Sequence, residues 1–196
     1  MLLAGAVLAG CSAGTGGDRA APLTDALGRP FSPRAGVERI VSLSPAVTEI
    51  LFAIGAGDKV AGVTAYCDYP PEALDRTKVG GFSGAQISIE QIAALRPDLV
   101  ILSADMHGRV AGLLEGLSIP SFAVEPRNFD QLYETAAVLG ALTGREEGAE
   151  ETVRGMKEKI ALAAERIADG TRPLVYWELS GDPLISVGGR SFINEV

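Results

Sequence analysis

The sequence has one histidine in 196 residues. A histidine-based catalytic triad would have to be built on it. His107 lies in Asp105-Met-His-Gly108, with no serine or carboxylate pattern beside it and too few ligands nearby for zinc. It reads as a surface histidine at a helix start. Cysteine is nearly as scarce: Cys11 and Cys67 are too few for a disulfide framework. Basic charge is short as well. Seventeen Lys and Arg stand against 25 Asp and Glu, giving a net charge of −8 and a pI of about 4.7. That balance excludes the basic face nucleic acid requires and a polybasic patch for anionic lipid. Glycine motifs for nucleotides are missing. Gly55 and Gly57 are followed by Val60 where a dinucleotide fingerprint needs a third glycine, and no P-loop pattern occurs. There is no GxSxG nucleophile elbow either. These gaps speak against an enzyme; an α/β enzyme with an unfamiliar site is kept as the alternative from that class.

Long hydrophobic runs are lacking too. Met1 to Cys11 is apolar and small, but a bilayer span takes roughly 20 such residues. The stretch suits the apolar part of a secretory signal, although no Lys or Arg precedes it. Ser12 to Gly17 follows as a flexible Gly/Ser-rich tether.

What is present is an ordinary globular composition, 47% hydrophobic and 21% charged, enough for a real core. Thr24 to Phe31 suits a small hairpin around Gly28. Arg39-Ile-Val-Ser-Leu43 is a short apolar run fit for a buried strand. Ser44 and Pro45 then open a helix: serine caps, and proline takes the first position, where its missing N–H costs nothing. Val47, Ile50, Leu51 and Ile54 form its apolar face, and Gly55 ends it. Val60 to Thr64 is the next strand, and Tyr66 to Glu72 a loop, broken by Pro70 and Pro71. Lys78 to Gly81 is a brief strand. Ser88 and Gln91 are spaced as a capping box for a helix stopped by Pro97. Asp98 to Ser103 is a buried strand, His107 to Gly116 a helix, Pro120 to Val124 a strand. Asn128 and Gln131 form a second capping-box pattern, with Leu132, Ala136 and Leu139 on the inner face and Gly144 as the stop. Strands alternating with helices at this spacing predict an α/β fold with a mostly parallel sheet over residues 37–143.

Residues 145–169 break the alternation. Ala149, Val153, Met156, Ile160, Ala163 and Ile167 make one apolar stripe on a helix of about 25 residues, and Glu150 and Arg154 are spaced for an ion pair. The stripe fits a helix joining two lobes and fits a helical hairpin equally well. Pro173 to Leu179 then reopens a strand pattern, Leu184 to Val187 follows, and Gly188 to Asn194 has the form of a glycine turn into a helix. About 23 residues after Pro173 are too few for a core of their own.

The motifs Ser44-Pro-Ala-Val-Thr-Glu49, Asp68-Tyr-Pro-Pro71 and Gly80-Gly-Phe-Ser-Gly-Ala-Gln-Ile-Ser-Ile-Glu90, in this order, resemble the lobed substrate-binding proteins of ABC importers for cobalamin, haem and ferric siderophores, the cobalamin-binding branch above the others. The resemblance runs from about Val37 to Val196. It implies a two-lobed periplasmic-binding-protein fold: an N-terminal lobe over 37–143, a bridging helix over 145–169, and the start of a C-terminal lobe over 173–196, incomplete at Val196. It implies a monomeric extracytoplasmic receptor that captures a corrinoid and delivers it to ABC importer membrane subunits, with haem or a ferric siderophore as the alternative ligand and no cofactor of its own. Leu8-Ala-Gly-Cys11 resembles a bacterial lipobox. By that resemblance residues 1–17 are a lipoprotein signal and tether, Cys11 carries the membrane anchor, and Cys67 is left without a partner, a small half-buried filler or else a ligand.

Tyr66, Tyr69 and Phe82 fall on loops after strands, where open α/β sheets hold ligands, and aromatic faces suit a bulky apolar one. By resemblance Tyr66 and Phe82 line the cobalamin cleft; the bland alternative is that they pack their own loops. From the second lobe either Trp177 or Glu178 faces the cleft, since strand alternation permits one of them; Glu178 is preferred. Glu90 suits the helix dipole, and the resemblance adds docking to arginines of the importer.

Overall fold

The computed structural model describes residues 23–32, 36–167, 170, 174–188 and 192–195. The apolar start, the tether and Cys11 lie outside the described residues. Strands β1 (Leu23–Thr24), β2 (Pro30–Phe31), β3 (Ile40–Ser42), β4 (Val60–Val63), β5 (Thr77–Lys78), β6 (Leu99–Ser103), β7 (Ser121–Val124), β8 (Glu178–Gly181) and β9 (Leu184–Ser186) are joined by helices α1 (Pro45–Ala53), α2 (Ile89–Leu95), α3 (Ala104–Gly116), α4 (Phe129–Thr143) and α5 (Glu146–Ile167).

β3 to β7 form one parallel sheet in the order β5-β4-β3-β6-β7. The strands alternate faces, as the pleat requires. Ile40, Leu99, Ile101, Phe122 and Val124 pack on one side with Val47, Leu51 and Ile54 of α1 and Ala136 and Leu139 of α4. Val41, Val100, Leu102 and Ala123 pack on the other with Ile92 of α2 and Val110 and Leu114 of α3. Both faces are therefore covered, which is why the strands read as continuous apolar runs. The α/β layering is the predicted one.

The starts of α2 and α4 follow the capping chemistry; at α1 Ser44 stands at the N-cap but its side chain makes no cap hydrogen bond, and Pro45 opens the helix as expected. Asn128 accepts from the Gln131 N–H at 2.8 Å, while the Gln131 side chain reaches one residue further back and accepts from the Arg127 N–H at 2.8 Å. Ser88 accepts from the Gln91 N–H at 3.2 Å. Gly55 and Gly144 take positive φ just past the ends of α1 and α4, the left-handed exit that glycine permits.

The hairpin of β1 and β2, as expected, turns at Gly28, whose φ is 76°. It also closes an edge of the sheet. Ala26 N–H donates to the Ala123 carbonyl at 2.9 Å, and Ala123 N–H donates to Asp25 at 3.2 Å, so edge strand β7 does not present those groups bare.

The long helix α5 docks by its first turns. Ala149 is buried and Val153 packs on the core of the α1 face, and Thr152 Oγ1 donates to the Ala53 carbonyl at 3.2 Å. Met156 is half-buried, and Ile160 and Ala163 are exposed; the Ile167 side chain lies outside the described residues. The stripe therefore leaves the lobe partway along the helix. Arg154 approaches Glu151 at 3.8 Å, one helical turn apart, instead of the expected Glu150. The strand expected from Pro173 begins only at Glu178; Leu174 to Trp177 are exposed and irregular. β8 and β9 pair with each other, antiparallel, because Asp182-Pro183 turns the chain straight back between them. A single-turn helix, Phe192–Glu195, closes the described chain.

Candidate ligand-binding site

All five parallel strands end at one edge of the sheet. The chain runs outward from β3 to β4 and β5, then returns to β6 and β7 on the other side of β3. The reversal between β3 and β6 opens a crevice at the carboxyl ends, the place where open α/β sheets bind ligands. A cavity of about 270 Å³ lies there. Leu43, Ser44, Phe82, Met106, His107 and Phe192 are among the residues that line it.

Two predicted aromatics meet beside this crevice; Phe82 is among the residues lining the cavity, and Tyr66 is not. Tyr66 follows β4 and Phe82 follows β5. Their rings form an edge-to-face pair, 5.8 Å between centroids and 76° between planes. Tyr66 is 56% exposed and Phe82 50%. Tyr69, 63% exposed, faces a separate groove with Glu49 and Arg76. Burial pushes the Glu49 carboxyl above its ordinary range, and the Asp68 charge pushes the same way.

Phe82 rides on a short loop held from within. Gln86 returns its side-chain oxygen to the Phe82 N–H at 3.2 Å and the Ser83 N–H at 3.3 Å, completing a capping box on the single turn Gly84–Gln86. The loop is held from below by His107, and here the reading of a surface histidine is corrected. His107 is 2% exposed. The backbone of α3 leaves the helical region at this residue (φ −124°, ψ 16°), and the ring turns inward. Nδ1 accepts from the Ser103 N–H at 3.3 Å. Nε2 lies 3.1 Å from the Phe82 carbonyl. An accepting Nδ1 puts the proton on Nε2, which donates to that carbonyl. Burial pushes the imidazole below the usual histidine range, against the opposing pull of the Phe82 carbonyl and the Glu125 charge. Glu125, just past β7, accepts from the Ser103 hydroxyl at 2.6 Å and the Asp105 N–H at 3.2 Å. Asp105 pairs with Arg127 at 2.9 Å on the rim.

Cys67 lies beneath Tyr66, 1% exposed, with its Sγ 3.2 Å from both Thr48 Oγ1 and Thr64 Oγ1. It is a filler, as preferred, but fully rather than half buried. Trp177 and Glu178 are exposed. Among the described residues no hydrogen bond or ring contact joins either to Tyr66 or Phe82; the Trp177 carbonyl accepts from the Ser186 hydroxyl at 2.9 Å. Glu90 is exposed in the first turn of α2. The C-terminal turn does reach the site: Phe192 sets its ring edge-on to Phe129, 5.0 Å between centroids, and walls the cavity. The reading of the sequence missed Ser44, Met106, His107 and Phe192 as site residues. For the first three the signal was position alone: each follows the carboxyl end of a predicted strand. Among the described residues no group of three or more His, Cys, Asp and Glu is placed to hold a metal ion.

Comparison with known proteins agrees with this geometry. The periplasmic binding protein family matches residues 40–196. A vitamin B12-binding protein of Yersinia pestis is 30% identical over 165 residues, which are 84% of this chain and 58% of that protein. The structure of the periplasmic vitamin B12 binding protein of Vibrio cholerae superposes with a TM-score of 0.72 at 28% identity, over 81% of this chain and 62% of that one. The apo form of a periplasmic heme-binding protein of Roseiflexus superposes with a TM-score of 0.70 at 26% identity, over 82% and 62%. The chain thus spans 58% of the length of the curated relative it matches. With its parallel sheet, its switch-point crevice and this match over most of its length, the chain belongs to the periplasmic binding protein family.

Proposed function

We propose that the protein captures a corrinoid of the cobalamin class outside the cytoplasm and delivers it to an ABC importer. The observation that carries this is the half-exposed Tyr66–Phe82 pair beside the switch-point crevice. Two rings at right angles offer one edge and one face to a broad apolar ligand, with little entropy to lose on binding. The relative from Yersinia bears the vitamin B12-binding name, which supports the corrinoid over other bulky ligands. The same crevice suits haem, the ligand named for the Roseiflexus neighbour; in that case the Tyr66 phenol oxygen is the group placed to reach iron. A second lobe, joined through α5 and beginning with the chain from residue 173, supplies the opposite wall, with Trp177 or Glu178 on it. Cys11 carries the lipid that holds the receptor at the membrane, and the receptor works as a monomer.

Trp177 is the only tryptophan, so its fluorescence reports one place. Titration with cyanocobalamin should quench it saturably, and Tyr66→Ala should weaken that binding about tenfold, the loss expected of one anchoring aromatic. Saturable quenching by haemin and none by cyanocobalamin would transfer the assignment to haem. Glu90 is the docking residue for arginines of the importer. Glu90→Arg should leave the cyanocobalamin titration unchanged and lower cobalamin uptake by cells that depend on this receptor; unchanged uptake removes the docking role.

A further inference from the structure

We propose that His107 is a positioning residue of the ligand site: its neutral ring ties the Phe82 loop to the end of β6, and protonation of that ring frees Phe82 from Tyr66, so that the grip on ligand loosens in acid. The second half of this statement rests on the ligand-binding reading above; the first half does not.

The ring is buried and spans two backbone groups from different segments, accepting at Ser103 and donating at Phe82. α3 breaks its helical backbone at this one residue, a local cost that the two hydrogen bonds offset. The loop above sits directly on the break: a Cβ added at Gly84 would come 3.1 Å from the Met106 carbonyl oxygen. The Phe82 carbonyl is thus fixed from below, while its ring meets Tyr66 at the surface. A second proton would have to go on Nδ1. It would then point at the Ser103 N–H, donor against donor, and the ring could not stay where it is. The charged surroundings give the freed ring somewhere to turn. Glu125 is the charge that acts on it. Asp105, on the same helix, is held by Arg127. The loop from Gly80 to Ile89 carries no charged residue and offers a cation nothing.

Because His107 is the only histidine, its imidazole resonances need no sorting from others. The experiment is nitrogen and proton NMR on the ligand-free chain, from about pH 7.5 to about pH 4, through the ordinary histidine range and below it, the side to which burial moves this ring. It compares wild type, His107→Gln and His107→Ala. At neutral pH the ring should show the Nε2–H tautomer, and Tyr66 and Phe82 should give ring-to-ring cross-peaks. In wild type those cross-peaks should vanish with the same midpoint as the imidazole titration. His107→Gln, whose amide accepts and donates without titrating, should keep them throughout. His107→Ala should lack them throughout. Cross-peaks that survive the titration in wild type, or that vanish in His107→Gln at the wild-type midpoint, overturn the proposal. With cyanocobalamin added, wild-type affinity should fall about tenfold over that interval and the His107→Gln affinity should not, the loss expected for one buried hydrogen bond. Failure to bind at every pH would count against the ligand reading and leave the cross-peaks to decide the role of His107.

Discussion

Five donors converge on the Asp25 carboxylate: the N–H groups of Leu27, Arg29 and Ala123, and two nitrogens of the Arg29 guanidinium. Burial by itself would raise this carboxyl. The hydrogen bonds and charge of Arg29 together with the Ala123 N–H outweigh it and hold the group below its ordinary 3.8. A depressed acid stabilises the fold above its unfolded value, and that contribution is lost as the pH falls through the folded one. Asp25→Asn should therefore cost about 2–3 kcal/mol at neutral pH, the worth of a buried hydrogen-bonded charge, and flatten the acid limb of the stability curve. Urea unfolding at neutral pH and at about pH 3 checks both, the second difference being smaller than the first. His107 works in the same direction, nearer neutrality. Burial holds its ring neutral, so its contribution is full above the ordinary histidine value and is lost as the pH falls through the lowered one. At this scale the sequence was half legible. Tyr66 and Phe82 stood out as aromatics on loops after strands, and the structure sets their rings together; Tyr69 met the same rule and faces another groove. His107 did not stand out, because its burial comes from a break in the helix that no local pattern announces: Asp-Met-His-Gly reads as a polar helix start until the Phe82 loop is laid over it.

Elements were more legible than contacts. Capping patterns placed α1, α2 and α4, and the positive φ of Gly144 ended α4 where expected. The capping box at Ser83 and Gln86 was passed over because it caps a single turn, too short to show a helical period. α5 was legible as a stripe, but what seats it was not. Gly148 lies so close to the end of α1 that an added Cβ would fall 2.2 Å from the Ile54 carbonyl oxygen. That oxygen is backbone and cannot turn aside. Gly155, about two turns further along, would meet nothing within 4 Å. The two glycines make a matched test. Gly155→Ala should stabilise by up to about 1 kcal/mol through helix propensity. Gly148→Ala gains the same propensity but must push α5 off α1, for a net loss of about 1–3 kcal/mol, and should strip hydrogen-exchange protection from the first turns of α5 before it affects β3 or β6. Equal effects of the two substitutions would mean that the seat of α5 on α1 carries no strain.

At the scale of the molecule, one region does not bury what its composition says it should. Leu174, Val175, Tyr176, Trp177, Leu179, Leu184 and Ile185 are all large, apolar and at least 46% exposed, and on the stripe of α5 Ile160 and Ala163 are exposed as well. The sheet of β3 to β7 shows the contrast, its two faces closed by helices and its edge by the hairpin of Asp25. A segment that exposes this many large apolar side chains marks an interface. A two-stranded ribbon such as β8–β9 is marginal when nothing packs on it. Under the proposed function a second lobe is the cover. For residues 1–196 studied by themselves the cover at hand is a second copy, so they should self-associate as their concentration rises. Sedimentation velocity should show the shift, and Trp177 emission should move to shorter wavelength as its ring leaves water. Leu174→Asp with Leu184→Asp places two charges on the exposed segment and touches none of the core around β3 to β7. It should return the chain to a monomer with unchanged urea unfolding of that core. Self-association that persists in the double variant would place the sticky surface elsewhere, the exposed part of the α5 stripe being next to test with Ile160→Asp.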